Sequence, residues 1–209
     1  MKKYIYQFIT LLSITYSGSV ISQTLVNKGI SITVGNSNNG SGDIKGPIFS
    51  VEYFSSLKSN WFFLGNIGAT IHSEKGFPIS FIYNNQNIDA TIYETTAGMQ
   101  AMAQIGYSFI NNPKHFCGIR SGILVRYQSS SSTSVVYTLF PAETNLPFPV
   151  YVFDKINPQK TYSVGLSGQI FYTYKLNKKL GIGFLGGFQF DSNGDNISQL
   201  SLSVTRFLK

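Results

Sequence analysis

From Tyr162 to Lys175 the chain alternates between two kinds of side chain. Tyr162, Val164, Leu166, Gly168, Ile170, Tyr172 and Tyr174 occupy every second position. Ser163, Gly165, Ser167, Gln169, Phe171, Thr173 and Lys175 lie between them. In a strand, successive side chains point to opposite faces, so this period separates an apolar face from a small, polar one. Asn177-Lys178-Lys179 turns the chain, and the pattern returns. Leu180, Ile182, Phe184, Gly186, Phe188 and Phe190 share one face; Gly181, Gly183, Leu185, Gly187 and Gln189 share the other. The bulky face is ringed by aromatic residues, and its opposite is mostly Gly, Ser, Thr and Gln. That combination predicts a wall whose outside meets lipid and whose inside is narrow and polar.

The same period predicts six further strands. Lys28 to Gly35 places Ile30, Ile32 and Val34 on one face, before a loop from Asn36 to Gly46. Pro47 to Leu57 turns Phe49, Val51, Tyr53 and Leu57 outward and Ser50, Glu52 and Ser56 inward. Lys58-Ser59-Asn60 is a tight turn into Trp61 to Ser73, with Asn66, Gly68, Thr70 and His72 inward. Glu74 to Glu94 is a long connection to Thr95–Ile110, where Gln100 and Gln104 face inward and Ala103 outward. Asn111 to Lys114 turns into His115–Ser129, with Gly118, Arg120, Gly122, Arg126 and Gln128 inward. Ser130 to Gln159 is the longest connection, Tyr162 to Phe190 supplies strands six and seven, and Ile197 to Lys209 is the eighth. Gln104, Ile105, Tyr107, Gly118 and Gly122 recur as Gln169, Ile170, Tyr172, Gly183 and Gly187, a constant offset of 65 (169 − 104), as expected of two hairpins in one barrel.

Composition fits such a wall. Hydrophobic residues make up 43% and aromatics 15% of the 209 residues, but charged residues only 12%, and the mean hydropathy is a modest +0.04. No apolar run approaches the ~18 residues of a membrane helix. Cys117 is the only cysteine, so neither an intrachain disulfide nor a cysteine metal cluster is expected. The net charge of +7 is scattered along the chain, which argues against nucleic acid. At the N-terminus, Lys2 and Lys3, the apolar stretch Tyr4–Tyr16 and Val20-Ile21-Ser22 resemble a secretory signal peptide over residues 1–22, leaving 23–209 as one barrel domain. Charge also separates by end. The long-loop side carries Asp43, Glu74, Asp89, Glu94, Glu143, Asp154, Asp191 and Asp195 against Lys45, Lys75, Lys155 and Lys160, or 4 − 8 = −4. The short-turn side carries Lys28, Lys58, Lys114, Lys175, Lys178, Lys179, Arg206 and Lys209, or +8.

Eight strands joined alternately by short turns and longer loops resemble the OmpA/OmpX-like outer-membrane barrel family over roughly 28–209. The resemblance implies an all-β fold: a closed eight-stranded antiparallel up-and-down transmembrane barrel, with no sheet edge left open to lipid. It implies a bacterial outer-membrane location, outer-membrane lipids and the barrel assembly machinery as partners, a monomer, and no cofactor. The family ends its last strand with alternating apolar residues and a terminal aromatic. Leu200, Leu202 and Val204 fit that pattern, but Phe207 is one register off and Lys209 is the last residue.

Three local features bear on chemistry. His72-Ser73-Glu74 contains the residue types of a lipid A deacylase barrel, but adjacent residues face opposite sides and deny the Ser–His hydrogen bond that activation needs; His72 is expected as a polar rim residue. Asp191, Asn193 and Asp195 begin like a calcium loop, yet the twelfth position is Leu202, and Asn-Gly favours a hairpin turn. Cys117 is expected to face lipid and be inert. The segments Ile79–Tyr83 with Ile88–Tyr93, and Val135–Leu139 with Val150–Phe153, read as hairpins that prolong barrel strands above the membrane and offer edges to a surface protein partner.

Inside the barrel, alternation gathers Glu52, Asn66, Gln104, Arg120, Arg126 and Gln169 into a polar layer expected to fill the lumen. A buried carboxylate needs a partner, and Arg offers a bidentate one. The expected role is non-enzymatic, structural or surface-interacting, through the long loops. A lipid A-modifying barrel enzyme and a small-solute pore are the alternatives; a soluble lipocalin-like binder is disfavoured by the polar inner face.

Overall fold

The computed structural model describes residues 28–40, 44–77, 80–83, 86–89, 91–131, 136–145, 149–153 and 159–208; the expected leader lies outside them. In chain order the strands are β1 (Lys28–Asn39), β2 (Ile44–Lys58), β3 (Trp61–Phe77), β4 (Ser80–Tyr83), β5 (Gln86–Asp89), β6 (Ile92–Asn111), β7 (His115–Ser131), β8 (Val136–Leu139), β9 (Val150–Phe153), β10 (Gln159–Lys175), β11 (Leu180–Asp191) and β12 (Asn196–Leu208). Between β8 and β9 lies a single helical turn, Pro141–Thr144.

Eight of these strands close into a barrel in the order β1-β12-β11-β10-β7-β6-β3-β2. Every neighbouring pair is antiparallel, and the seam between β1 and β12 runs unbroken from Lys28↔Leu208 to Asn39↔Ile197. Closure leaves no unpaired edge in the wall, the condition for a sheet to sit in lipid. The eight barrel strands coincide with those expected from alternation, and most run further at their long-loop ends. At 20 residues β6 is about twice the ~9–11 that a strand needs to cross a bilayer.

The outer face is the apolar one. Ile67 (65% exposed), Ile170 (65%) and Leu200 (68%) point away from the barrel, and the inner set is buried. Aromatic residues gather on the wall at both ends. Trp61, Tyr107 and Phe109 stack edge to face at centroid distances of 5.1 and 5.7 Å near the short turns. Tyr127 and Tyr162 sit 4.8 Å apart near the long loops. Aromatic rings at two levels are the pattern seen in walls that cross two membrane–water interfaces.

The long connections differ from expectation in one respect. β4 pairs with β5 and β8 with β9, but each pair is its own two-stranded sheet rather than a continuation of barrel strands. The expected strand Ile88–Tyr93 is divided: Gln86–Asp89 belongs to the β4–β5 ribbon, while Ile92 and Tyr93 begin β6. The barrel ladder closes at Phe77↔Ile92 through a register shift after Lys75, which breaks continuity into the ribbon.

Candidate functional site

Side chains of the described residues pack the lumen. At the short-turn end Phe54, Phe62, Leu64, Phe116, Phe171 and Phe207 form one buried apolar cluster. Phe116 and Phe171 lie 4.8 Å apart, Phe62 meets Phe171 edge-on at 5.5 Å, and Phe54 stacks on Phe116 at 5.8 Å. The rings need glycine walls: a Cβ at Gly106 would stand 2.1 Å from the Phe62 ring, and one at Gly29 would stand 2.5 Å from Phe54. This adds an apolar level to an inner face that alternation makes mostly small and polar. It also explains the displaced C-terminal aromatic, because Phe207 points inward and completes the plug. The signal was present in the sequence as parity, for Phe54 is 52 + 2, Phe171 is 169 + 2 and Phe116 is 120 − 4.

Directly above the plug is an ion pair. Arg120 Nη1 donates to Glu52 Oε2 at 2.9 Å and Nη2 donates to Oε1 at 2.7 Å. Arg120 Nε donates to Gln169 Oε1 at 2.6 Å, and Asn66 Nδ2 to Glu52 Oε1 at 2.9 Å. Strand register sets these contacts: Glu52 is the cross-strand partner of Asn66, and Gln169 that of Arg120. Two neighbouring pairs thus meet across the lumen. Glu52 and Arg120 are 4% and 5% exposed, so each charge depends on the other. The guanidinium also sits 5.9 Å from the Phe171 centroid, joining this layer to the plug. A cavity of about 20 Å³ lies between them, room for about one water.

Gln104 and Arg126 stand apart from this ion pair, Arg126 at the greater height that counting along its strand predicts. Gln104 Nε2 donates to Ser167 Oγ at 2.8 Å and touches neither charge. Arg126 anchors a second ionic layer nearer the long loops. Its Nη1 donates to Asp191 Oδ2 at 2.9 Å, and its Nη2 to Gln189 Oε1 at 2.6 Å and Gln100 Oε1 at 3.1 Å. Ser163 Oγ donates to the same Asp191 oxygen at 2.8 Å. Asp191, expected only as a loop acid, folds into the lumen, where its side chain is fully enclosed.

The calcium-like segment forms a turn closed on Asp191. Asp191 Oδ1 accepts from the Asn193 and Asp195 amides at 3.0 and 3.3 Å, while Gly194 turns the chain at φ +83°. Gln128 Nε2 donates to Asp195 Oδ2. Both acids are engaged in building the turn and capping the lumen, and no trio of metal-ligating side chains occurs among the described residues.

His72 is not at the rim. It is fully buried in the lumen, with Nε2 2.8 Å from Ser37 Oγ. Ser73 points the other way and meets Thr95 Oγ1 at 3.0 Å. Ser37–His72 has nucleophile–base spacing, but Nδ1 has no hydrogen-bond partner among the described residues, and no surface reaches the pair. A triad needs both an orienting acid and a substrate path. Cys117 is half-buried at outward parity.

Beyond the upper ionic layer the barrel opens into a basin of about 480 Å³ between Asn39, Glu74, Lys75, Glu94, Gln128 and Asp195. The two ribbons follow β3 and β7 at this end. β8 and β9 hold no charged residue; Val152 within β9 and Phe140 just after β8 are 41% and 60% exposed.

No family model and no curated protein matches the chain. Solved structures do. The attachment invasion locus protein Ail of Yersinia pestis superposes at a TM-score of 0.52 with 10% identity, over 88% of this chain and 100% of that one. Ail in complex with the heparin analogue sucrose octasulfate gives 0.53 and 11%, over 87% and 98%. Neisserial surface protein A gives 0.54 and 11%, over 87% and 97%. At such identities the likeness is one of architecture, and together with the closed wall it establishes that this chain has the eight-stranded fold of the OmpA/OmpX-like outer-membrane barrels.

Proposed function

We propose that this protein is a non-enzymatic barrel of a bacterial outer membrane that binds a partner at the cell surface through its long loops. In this reading residues 1–22 are a leader removed on export, the assembly machinery inserts the rest as a monomer, and lipid surrounds the wall. The observation that carries it is the contrast between the two parts of the molecule. Among the described residues an aromatic plug and two ionic layers pack the interior beneath the open basin, which argues against a continuous path for solute. The loops form two ribbons separate from the barrel sheet, and one of them, β8–β9, carries no charged residue and among the described residues pairs only with itself. A two-stranded ribbon has little stability of its own, and unpaired strand edges accept a further strand. Solved structures of similar architecture include proteins whose names refer to attachment and to the surface.

The test is display of the full chain on a non-adherent bacterium. Retention on an epithelial monolayer is compared with that of a variant in which Tyr137–Val152 is replaced by a Gly-Ser linker. The expected result is retention by the intact protein and its loss in the variant, with heat-modifiable gel migration unchanged in both. Equal retention of the two displays would assign the ribbon a purely structural role.

A further inference from the structure

The short-turn end of the barrel is a ring of fixed positive charge. Lys58 borders the β2–β3 turn, Lys114 the β6–β7 turn, and Lys178 and Lys179 the β10–β11 turn; Lys28 and Arg206 reach the same end on β1 and β12. All but half-buried Lys28 are exposed. Among the described residues no Asp or Glu shares this rim, and the Glu52–Arg120 and Arg126–Asp191 ion pairs lie inside the lumen.

Turn chemistry does not ask for these lysines. The β6–β7 turn is held by Asn112, whose Oδ1 accepts from the Lys114 and His115 amides at 3.0 and 2.6 Å. The β10–β11 turn repeats the device: Asn177 Oδ1 accepts from Lys179 and Leu180 at 2.8 and 2.9 Å. Asn is the residue that such a turn requires, while the positions carrying Lys are free to vary. The turns are also tied to their neighbours. Lys175 N donates to Lys114 O at 2.7 Å, Phe207 N to Lys179 O at 2.8 Å, and Ser108 N to Asn60 O at 2.9 Å. The lysine backbones are therefore held at set places around the circumference.

Immediately up the wall stands the aromatic girdle of Trp61, Tyr107 and Phe109, joined by Tyr172, whose hydroxyl lies 2.8 Å from His115 Nδ1. Rings of this kind settle at headgroup depth. Lysines just beyond them meet phosphates, and clustered cations favour lipids with net negative charge. We infer that the short-turn rim is a collar that selects anionic phospholipids from the leaflet around it. The collar encircles the barrel instead of lining a hollow, so a ring of headgroups fits it where a single folded partner does not. This inference rests on the membrane-barrel reading proposed above.

The experiment reconstitutes the full chain in phosphatidylcholine vesicles containing trace spin-labelled phosphatidylglycerol or phosphatidylcholine. It measures the motionally restricted fraction of each label. At about one lysine's worth of attraction per headgroup, phosphatidylglycerol is enriched about fivefold over phosphatidylcholine around the wild type. Lys58→Gln/Lys114→Gln/Lys178→Gln/Lys179→Gln brings the ratio close to parity, and high salt does the same. Lys45→Gln/Lys75→Gln/Lys160→Gln, at the opposite end, leaves it unchanged. Equal restriction of both labels by the wild type overturns the collar, as does a preference that survives the quadruple change. An equal loss in the opposite-end variant also overturns it, because the preference would then follow net charge alone. Heat-modifiable migration of the same samples reports the barrel itself. An inserted chain without lipid preference removes the collar only; a chain that never inserts removes the membrane-barrel reading with it.

Discussion

Arg120 grips Glu52 across the lumen with both terminal nitrogens, at 2.7 and 2.9 Å, although 68 residues separate them in the chain. Neither side chain has bulk water to fall back on. Loss of either partner therefore leaves a buried charge uncompensated, at a cost of ~3–5 kcal/mol. Glu52→Ala and Arg120→Ala are each expected to lower the urea midpoint of unfolding from vesicles by a comparable amount, and the double variant by less than the sum. Strict additivity in that cycle would show that the two charges do not act as a pair.

The aromatic plug makes a steric prediction. Because the Phe62 ring occupies the space a side chain at Gly106 would need, Gly106→Val should destabilise the barrel by ~1–3 kcal/mol through overpacking. Phe62→Ala should cost ~3–5 kcal/mol through the cavity it leaves. Combining them lets the valine fill part of that cavity, so the double variant is expected to be more stable than Phe62→Ala alone. A double variant worse than either single one would place the Phe62 ring elsewhere.

The outward face of β6 can be tested at mid-wall. Ala103 is exposed on the outside, between inward Met102 and Gln104. Ala103→Arg is expected to reduce the free energy of folding into bilayers by ~2–4 kcal/mol, whereas Ala103→Leu should be neutral or favourable. Equal folding of the arginine and leucine variants would mean that this face does not meet lipid.

Topology follows from loop length and charge. An epitope inserted at Asn85, between β4 and β5, should be labelled on intact cells, and one at Asn112, in the β6–β7 turn, only after permeabilisation. The reverse pattern would invert the barrel in its membrane and move the acidic end to the inside.

With the lumen filled at three levels, purified protein in planar bilayers should show no steady conductance. Phe116→Ala combined with Arg120→Ala, which thins the plug and opens the lower ionic layer, is the variant expected to leak. A wild-type channel with a stable open level would contradict the packing of Phe116 against Phe171.

What the sequence decides by itself is the wall. A two-residue period survives any long-range arrangement, so Ile30, Ile67, Ile123, Ile170 and Leu202 declare the outer face from local order alone, and the alternation of Lys58–Asn60-like turns with long loops declares the strand count. Even the inward side of Glu52, Arg120, Gln169 and Arg126 follows from counting. Counting from the short turns also sets Glu52, Asn66 and Arg120 at about one height; what it leaves open is the contacts, because closure staggers one strand against the next by an amount no single strand encodes. Only the register puts Asn66 opposite Glu52 and Gln169 opposite Arg120, gives Arg126 a separate acid in Asp191, and leaves Gln104 with Ser167. The plug shows the same division. Each inward Phe was visible as an exception to a polar face, but five rings become one core only when their strands end at a common level. The ribbons are the remaining case: their apolar, strand-forming residues are legible, yet their separation from the barrel sheet depends on where the β3–β6 and β7–β10 ladders stop, which is a property of each pair and of no single strand.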